Sequence, residues 1–449
     1  MGKLQRPVSM VQARGTMRPC MRSRPLSNLG GIRQSPKGVE AVKQSETNKI
    51  VLCGEGLSSN LGDGVIADCL EFLIQRLGSE TEIVRLDLSG RIRQVNPAKP
   101  VSDQREKIKR LAAIKFPKLI NLVRWAKKRS FTGFGQLVTS DTTMLVIGGG
   151  QLLMDNNWRF PLDLAALAFD AHRKKIPIAF HACGVGESWS WVGKALIRAI
   201  FARCDVRYVS VRDVESASRL KQLLKGIDSM HVEATIDPAV WASEVYGLNR
   251  STNVKPSCAL TVGLGIMSNL KIPAATAGGG KIYPRSELAN FWVDLALSLR
   301  RKGFSVALFT NGAQEDEFFA DEISEKLEKI APHGSFWKRK TVVTEPCELA
   351  RQIGDFDGII AHRLHASIIA FSQGVPAVSL EWDSKVRSFS KAVGRSRWVI
   401  SATELTSAYA ADLVEEAIKT GVCQTSIENV KQSTLVATER LLQSAVDRE

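Results

Sequence analysis

Two doubly wound, Rossmann-type α/β units facing each other across a cleft are the fold this sequence predicts. Three observations predict it. Short, near-continuous apolar runs alternate with stretches of helical spacing, the pattern of a parallel sheet covered on both faces. The alternation restarts after a polar, Pro-containing segment at 246–257. Loops rich in Gly, Asn, Asp and basic residues follow the apolar runs, at the strand ends where open parallel sheets bind ligands.

The elements follow in order. KIVLC at 49–53 reads as the first strand, and a helix at 65–77 comes after its loop. Strands are expected at 82–86, 143–147, 177–181, 208–211 and 231–234, with helices at 162–174, 192–203 and 215–224 between the later ones. The second series predicts strands at 259–266, 305–310, 341–344, 357–361 and 376–380. Helices are expected at 286–302, 315–330, 347–353 and 364–372, and the stretch from 403 onward is mostly helical. The expected organisation is therefore a basic arm at 1–46, a first domain at 47–247, a second at 256–400 and C-terminal helices at 401–449. A length of 449 residues suits two domains plus a tail.

The composition is that of a globular protein, 44% apolar and 24% charged. The formal net charge of +15 is concentrated. Residues 1–50 contribute +8 and 91–130 contribute +11, which leaves the remainder slightly acidic. FPKLINLVRWAKKR within the second segment has the spacing of a basic amphipathic helix. Such segments suit anionic partners, including a peripheral membrane contact, although a solvated helix face is the more ordinary reading. The eight cysteines form no CxxC pair and match no zinc spacing, which points to a reducing, cytoplasmic setting. No apolar run reaches membrane-spanning length, and the basic N-terminal stretch lacks the apolar core of a secretory signal.

Five strand-end motifs carry the candidate chemistry. Ser58–Asp63, with Asn60, Gly62 and Asp63, precedes a helix; it serves either an anion or simply the helix cap. Gly148-Gly149-Gly150 is either a close backbone approach to a ligand or a tight turn. It is not a P-loop or dinucleotide fingerprint, which argues against ATP and NAD. Arg212-Asp213 follows a third strand. Arg212 suits a carboxylate or phosphate, or only its neighbour Asp213, and Asp213 suits a helix cap. The strand GIIA delivers His362, Arg363, Leu364 and His365, which places a proton-transfer group beside an anion clamp. A metal centre is not expected there, since no third ligand is suggested by spacing. Lys385 opens a helix and suits a phosphate or plain solvent.

The stretches SNLGDG, GGGQLL, VSVRDVESASRL, IDPAVW and IIAHRLHASIIAFSQGVPAVSLEWDSKVRSF together resemble the polysaccharide pyruvyl transferase family, over about residues 50–394. That resemblance implies a GT-B-like fold and transfer of a pyruvyl group from phosphoenolpyruvate to sugar hydroxyls, with release of phosphate and no cofactor. It implies an acceptor that is often a glycan or lipid-linked precursor of an exopolysaccharide or cell-surface polymer; no nucleic-acid partner is expected. The family's Arg-Leu-His falls on Arg363 and His365, and its Arg-Asp on Arg212 and Asp213. On this reading Arg212, Arg363 and Lys385 clamp phosphoenolpyruvate, His365 is the general acid, and Asp63 or Asp237 orients the sugar. Two other readings share these features: a GT-B glycosyltransferase using a nucleotide sugar, and an anion- or membrane-binding protein without activity.

Overall fold

In a computed structural model, residues Thr47–Glu449 form one compact unit. The structure describes residues 48–91, 138–155, 158–227, 230–248, 259–268 and 284–446. The basic arm, the insert beyond Arg91 and its expected amphipathic helix lie outside the described residues.

The unit holds two six-stranded parallel sheets. The first comprises β1 (Lys49–Gly54), β2 (Glu82–Asp87), β3 (Thr142–Gly148), β4 (Ile178–Cys183), β5 (Val206–Val211) and β6 (Glu233–Ala234), in the order β2-β1-β3-β4-β5-β6. Helices α1 (Leu61–Leu77), α2 (Arg159–Arg173), α3 (Trp191–Arg203) and α4 (Val214–Leu223) connect them. A 3₁₀ turn, Pro238–Trp241, and the short α5, Ala242–Val245, lead out of this sheet.

The second sheet comprises β7 (Thr261–Gly265), β8 (Ser305–Phe309), β9 (Trp337–Arg339), β10 (Gly358–Ala361), β11 (Ala377–Leu380) and β12 (Val399–Ile400), in the order β12-β11-β10-β7-β8-β9. Its helices are α6 (Arg285–Arg301), α7 (Gln314–Glu328), α8 (Pro346–Gly354), α9 (Leu364–Ser372), α10 (Ser384–Ala392) and α11 (Ser407–Thr420), and α12 (Gln424–Val446) follows. The central strands are apolar throughout because both faces are covered: Val51, Leu145, Ile147, Ile359 and Ile360 have no exposed surface.

Each sheet has one point where the strand order reverses. In the first sheet the crevice opens between the carboxyl ends of β1 and β3, at Gly54 and Gly148. In the second it opens between β7 and β10, at Gly265 and Ala361. Ligands of doubly wound sheets bind at such points, and four of the five motifs begin within a few residues of these ends or of the neighbouring end of β5.

Three elements depart from expectation, one of them β12, Val399–Ile400, a sixth strand where five were expected. The strand expected at 341–344 starts four residues earlier, at Trp337–Arg339. Trp337 is the residue that packs, 3% exposed with its indole N–H donated to the Ala331 carbonyl, whereas Val342 of the apolar TVVT run faces solvent. α12 also leaves the second sheet and returns to the first. There Leu441 joins Ile50, Leu52, Met144 and Val146 in one apolar cluster. Tyr208 Oη on β5 donates to the Ala437 carbonyl at 2.9 Å, and Arg440 pairs with Glu233 at 2.8 Å.

Candidate active site

His365 sits in the first turn of α9, at the carboxyl end of β10. Its surroundings come from the other sheet. Nδ1 lies 3.9 Å from Asp63 Oδ1 in the first turn of α1, and Nε2 lies 3.7 Å from Asp237 Oδ2 before the 3₁₀ turn. The imidazole is thus bracketed by two carboxylates at distances that suit an ion pair and are too long for direct hydrogen bonds. His365 Nε2 and Asp237 Oδ2 are both buried and have no hydrogen-bond partner. Burial pushes the Asp237 carboxyl up, but His365, the Ala239 N–H and Arg212 outweigh it and hold the group below the usual carboxylate range.

Gly62 explains how α1 comes so close. A Cβ there would lie 2.5 Å from His365 Cβ and Nδ1, so a side chain would expel the ring. The Leu61 N–H also donates to the Asn311 carbonyl at 2.8 Å, which ties the start of α1 to the end of β8. Asn60 occupies the N-cap position of α1 without capping it, and its amide instead donates to Asp63 Oδ2 at 3.2 Å.

A cationic pair completes the constellation. Arg212, directly after β5, has its guanidinium against Gly184. Its Nε is 3.4 Å from Asp213 Oδ2 and makes no hydrogen bond. Lys385, in the first turn of α10, reaches across from the second sheet. Its Nζ is 3.3 Å from Gln151 Oε1, 3.4 Å from Asp383 Oδ2 and 4.2 Å from the centre of the Trp382 ring. Burial lowers the Lys385 ammonium to about 8; Arg212 adds to the lowering, while Asp383 and Asp63 oppose it. Burial would raise Asp383, but Lys385 and Arg212 keep it below the usual range.

The depressed ammonium fixes a pH dependence. Between about pH 8 and the ordinary lysine value near 10.4 the unfolded chain binds more protons at this position than the folded one. Stability from this group therefore rises with pH across that window, while binding of an anion beside Lys385 weakens as pH rises through about 8. The apparent affinity for an anionic substrate is expected to fall roughly tenfold per pH unit above that point, the limit for loss of one required proton. Lys385→Arg is expected to remove this limb, as a pH series of kcat/KM would show.

The remaining motif residues have other partners. Asp213 caps α4, accepting the Ser216 N–H at 2.6 Å, and Ser216 Oγ in turn receives the Val185 N–H. Arg363 Nε donates to Asp316 Oδ2 at 2.7 Å, and Asp316 is fully buried with its other oxygen on the Ser268 N–H. That ion pair holds the β10 end against the β7 end, so much of the guanidinium is committed to structure. His362 is a packing residue: its ring meets Trp292 edge-on at 5.5 Å, burial lowers it to about 3, and its carbonyl accepts the Trp382 indole N–H.

Gly149 and Gly150 both have φ of 73°, left-handed backbone that a Cβ would strain, and a Cβ on Gly149 would lie 2.1 Å from Ile66. They form one wall of a cavity of about 620 Å³ over the β1/β3 crevice, which Asp63, Arg363, Asp383 and Lys385 also line. Asp383 and Gln151 belong to the site although the sequence singled out only their neighbours. Asp383 gave a signal in its position, directly before the helix that Lys385 opens.

The sequence matches a known family. The family model for polysaccharide pyruvyl transferases matches residues 60–384, from Asn60 in the first motif to the residue before Lys385. The chain belongs to the polysaccharide pyruvyl transferase family. No curated protein matches this family member by sequence. Among solved structures, a Listeria monocytogenes protein described as a UDP-N-acetylglucosamine 2-epimerase is similar over 88% of this chain and 94% of its own, with 10% identity and a TM-score of 0.51. The trehalose-6-phosphate synthase OtsA is similar over 90% and 99%, with 10% identity and a TM-score of 0.50. At such identities the likeness is one of fold, and it makes this pyruvyl transferase family member a GT-B protein. Among its described residues no helix is long and apolar enough to cross a membrane, and no three His, Cys, Asp or Glu side chains are grouped to hold a metal ion.

Proposed function

We propose that the protein transfers the pyruvyl group of phosphoenolpyruvate to two hydroxyls of one sugar, forming a ketal and releasing phosphate. The observation that carries this reading is the pairing of one bracketed imidazole, His365 between Asp63 and Asp237, with the part-buried cations Arg212 and Lys385. Phosphoenolpyruvate offers a carboxylate and a phosphate, and two cations in a partly dry site bind such a dianionic head more strongly than they would in water. Its methylene carbon must receive a proton, and protonated His365 is the donor. Asp237, held ionised, lies 3.7 Å from Nε2 on the side away from Asp63.

The first acceptor hydroxyl adds to the central carbon of phosphoenolpyruvate while His365 gives its proton to the methylene carbon, which becomes the methyl group. The hydroxyl's own proton returns to His365. The carbon–oxygen bond to phosphate then breaks, the second hydroxyl adds, and its proton leaves with hydrogen phosphate. Asp63, facing both the imidazole and the cavity, is placed to accept a hydrogen bond from the attacking hydroxyl.

The test is incubation with phosphoenolpyruvate and a panel of free, nucleotide-linked and lipid-linked sugars, reading phosphate and the mass of the product. A mass gain of one pyruvic acid less one water, with equimolar phosphate, is the expected result. Release of a nucleoside diphosphate without consumption of phosphoenolpyruvate would replace this reading with glycosyl transfer.

A further inference from the structure

The two cations of the reacting centre come from different halves of the molecule. Arg212 stands two residues before α4 on the first sheet, and Lys385 is the second residue of α10 on the second. Like charges in one partly dry site repel, so their spacing needs a restraint of its own before an anion arrives.

The helices that follow these cations are joined within about one turn of them. Ser388 Oγ on α10 is 2.8 Å from Glu215 Oε2 on α4, and its hydroxyl is shared with the Ser384 carbonyl at 3.0 Å. Arg219 Nη2, one turn further along α4, donates to Ser384 Oγ at 3.1 Å. We infer that this α4–α10 latch sets the separation of Arg212 and Lys385, with Glu215 and Ser388 as its positioning residues. The inference rests on the pyruvyl-transfer reading for its kinetic readout alone, and it adds the restraint that keeps the anion clamp assembled.

Both ends of the latch are fixed. Asp213 accepts the Ser216 N–H, and Ser216 Oγ receives the Val185 N–H, so the start of α4 is tied to the segment after β4. Arg219 Nη1 donates to the Val185 carbonyl at 3.2 Å, and Nη2 also pairs with Glu187. On α10, Asp383 Oδ1 accepts the Lys385 N–H at 3.0 Å, which holds the turn that carries the ammonium. Ser388 is 7% exposed. Burial raises the Glu215 carboxyl, but the Ser388 hydroxyl, its own N–H, Lys391 and Arg219 outweigh it and keep it below the usual range. A hydroxyl bonded to an ionised carboxylate is held more strongly than one between neutral groups.

Lys385 reports on the latch. Burial and Arg212 lower its ammonium, while Asp383 and Asp63 oppose them. Asp383 caps α10 and moves with it, whereas Arg212, Asp63 and the Gln151 amide belong to elements of the first sheet. Releasing α10 therefore removes burial and repulsion together, and the ammonium rises toward the ordinary lysine value.

The test uses the full chain and the variants Glu215→Ala, Ser388→Ala, their combination, and Glu215→Gln. Acetylation of Lys385 across a pH series, read by peptide mass spectrometry, gives its titration midpoint without any turnover. Each alanine variant is expected to raise that midpoint by about half a pH unit or more. KM for phosphoenolpyruvate should rise roughly five- to tenfold, with kcat changed less than about twofold, because the lost bond is one to a charged group and His365 is untouched. The combined variant should add little to either alone, as expected for two ends of one contact. Glu215→Gln keeps an oxygen that accepts the Ser388 hydroxyl and should stay within about twofold of the unaltered protein. A midpoint unmoved in both alanine variants, a fall in kcat with KM unchanged, additive effects, or a Glu215→Gln variant as impaired as Glu215→Ala would overturn the inference. If phosphoenolpyruvate is not turned over at all, the pyruvyl-transfer reading fails, and the acetylation midpoints still decide whether the latch positions Lys385.

Discussion

His365→Gln is expected to lower phosphoenolpyruvate-dependent phosphate release by two to four orders of magnitude, the usual worth of a positioned proton-transfer group. Glutamine has nearly the reach of histidine and can still donate toward Asp237, so the bracket of carboxylates should survive. What is lost is the proton that an imidazole can transfer and an amide cannot. Affinity for phosphoenolpyruvate should change by only a few fold, because Arg212 and Lys385 remain. The check is single-turnover phosphate release with acceptor present, beside a direct binding measurement. Undiminished release in this variant would end the role assigned to His365.

Arg212→Ala is expected to act on binding and on the neighbouring charges together. The guanidinium helps keep both Asp237 and Asp383 ionised, and its side chain is only 7% exposed. Truncating one partner of a desolvated charge pair at a binding site costs about 2–5 kcal/mol of binding, which places the loss in kcat/KM at roughly 30-fold or more. A second readout separates this from simple unfolding. Arg212 contributes to the lowering of Lys385, so the alkaline limb near pH 8 should move upward in the variant. Arg212→Lys retains the charge but not the planar fork, so it should restore the position of the limb better than it restores affinity. A limb that stayed at the same pH in Arg212→Ala would show that the two cations do not share a field.

Much of this molecule was legible in its sequence because buried parallel strands leave a plain mark. KIVLC, TMLVI and GIIA are apolar on both faces, and each became a central strand with its motif at the carboxyl end. β9 was misplaced because an edge strand needs one buried anchor, Trp337, and not a continuous apolar run. The site was legible as separate motifs. Their mutual arrangement was not, since the contacts that define it join residues far apart in sequence: Asp63 and Asp237 to His365, and Gln151 to Lys385. Nothing local distinguishes an arginine that clamps a ligand from one that holds a strand end. Asp316 decides that for Arg363, and it lies 47 residues away. Asp213 took the capping alternative, and Gly62 acquired its reason only when the imidazole beside it was in place.

The return of α12 to the first sheet has a consequence for synthesis. Ile50, Leu52, Met144 and Val146 leave the ribosome early, yet Leu441, which joins their cluster, is made several hundred residues later. During translation that cluster is covered by Leu70 and Ile74 of α1 and lacks only its last contact until residues 424–446 emerge. At about 5–20 residues per second the apolar edge left for Leu441 stays open through most of elongation. Closure of this face is thus expected only after α12 has been made and has docked.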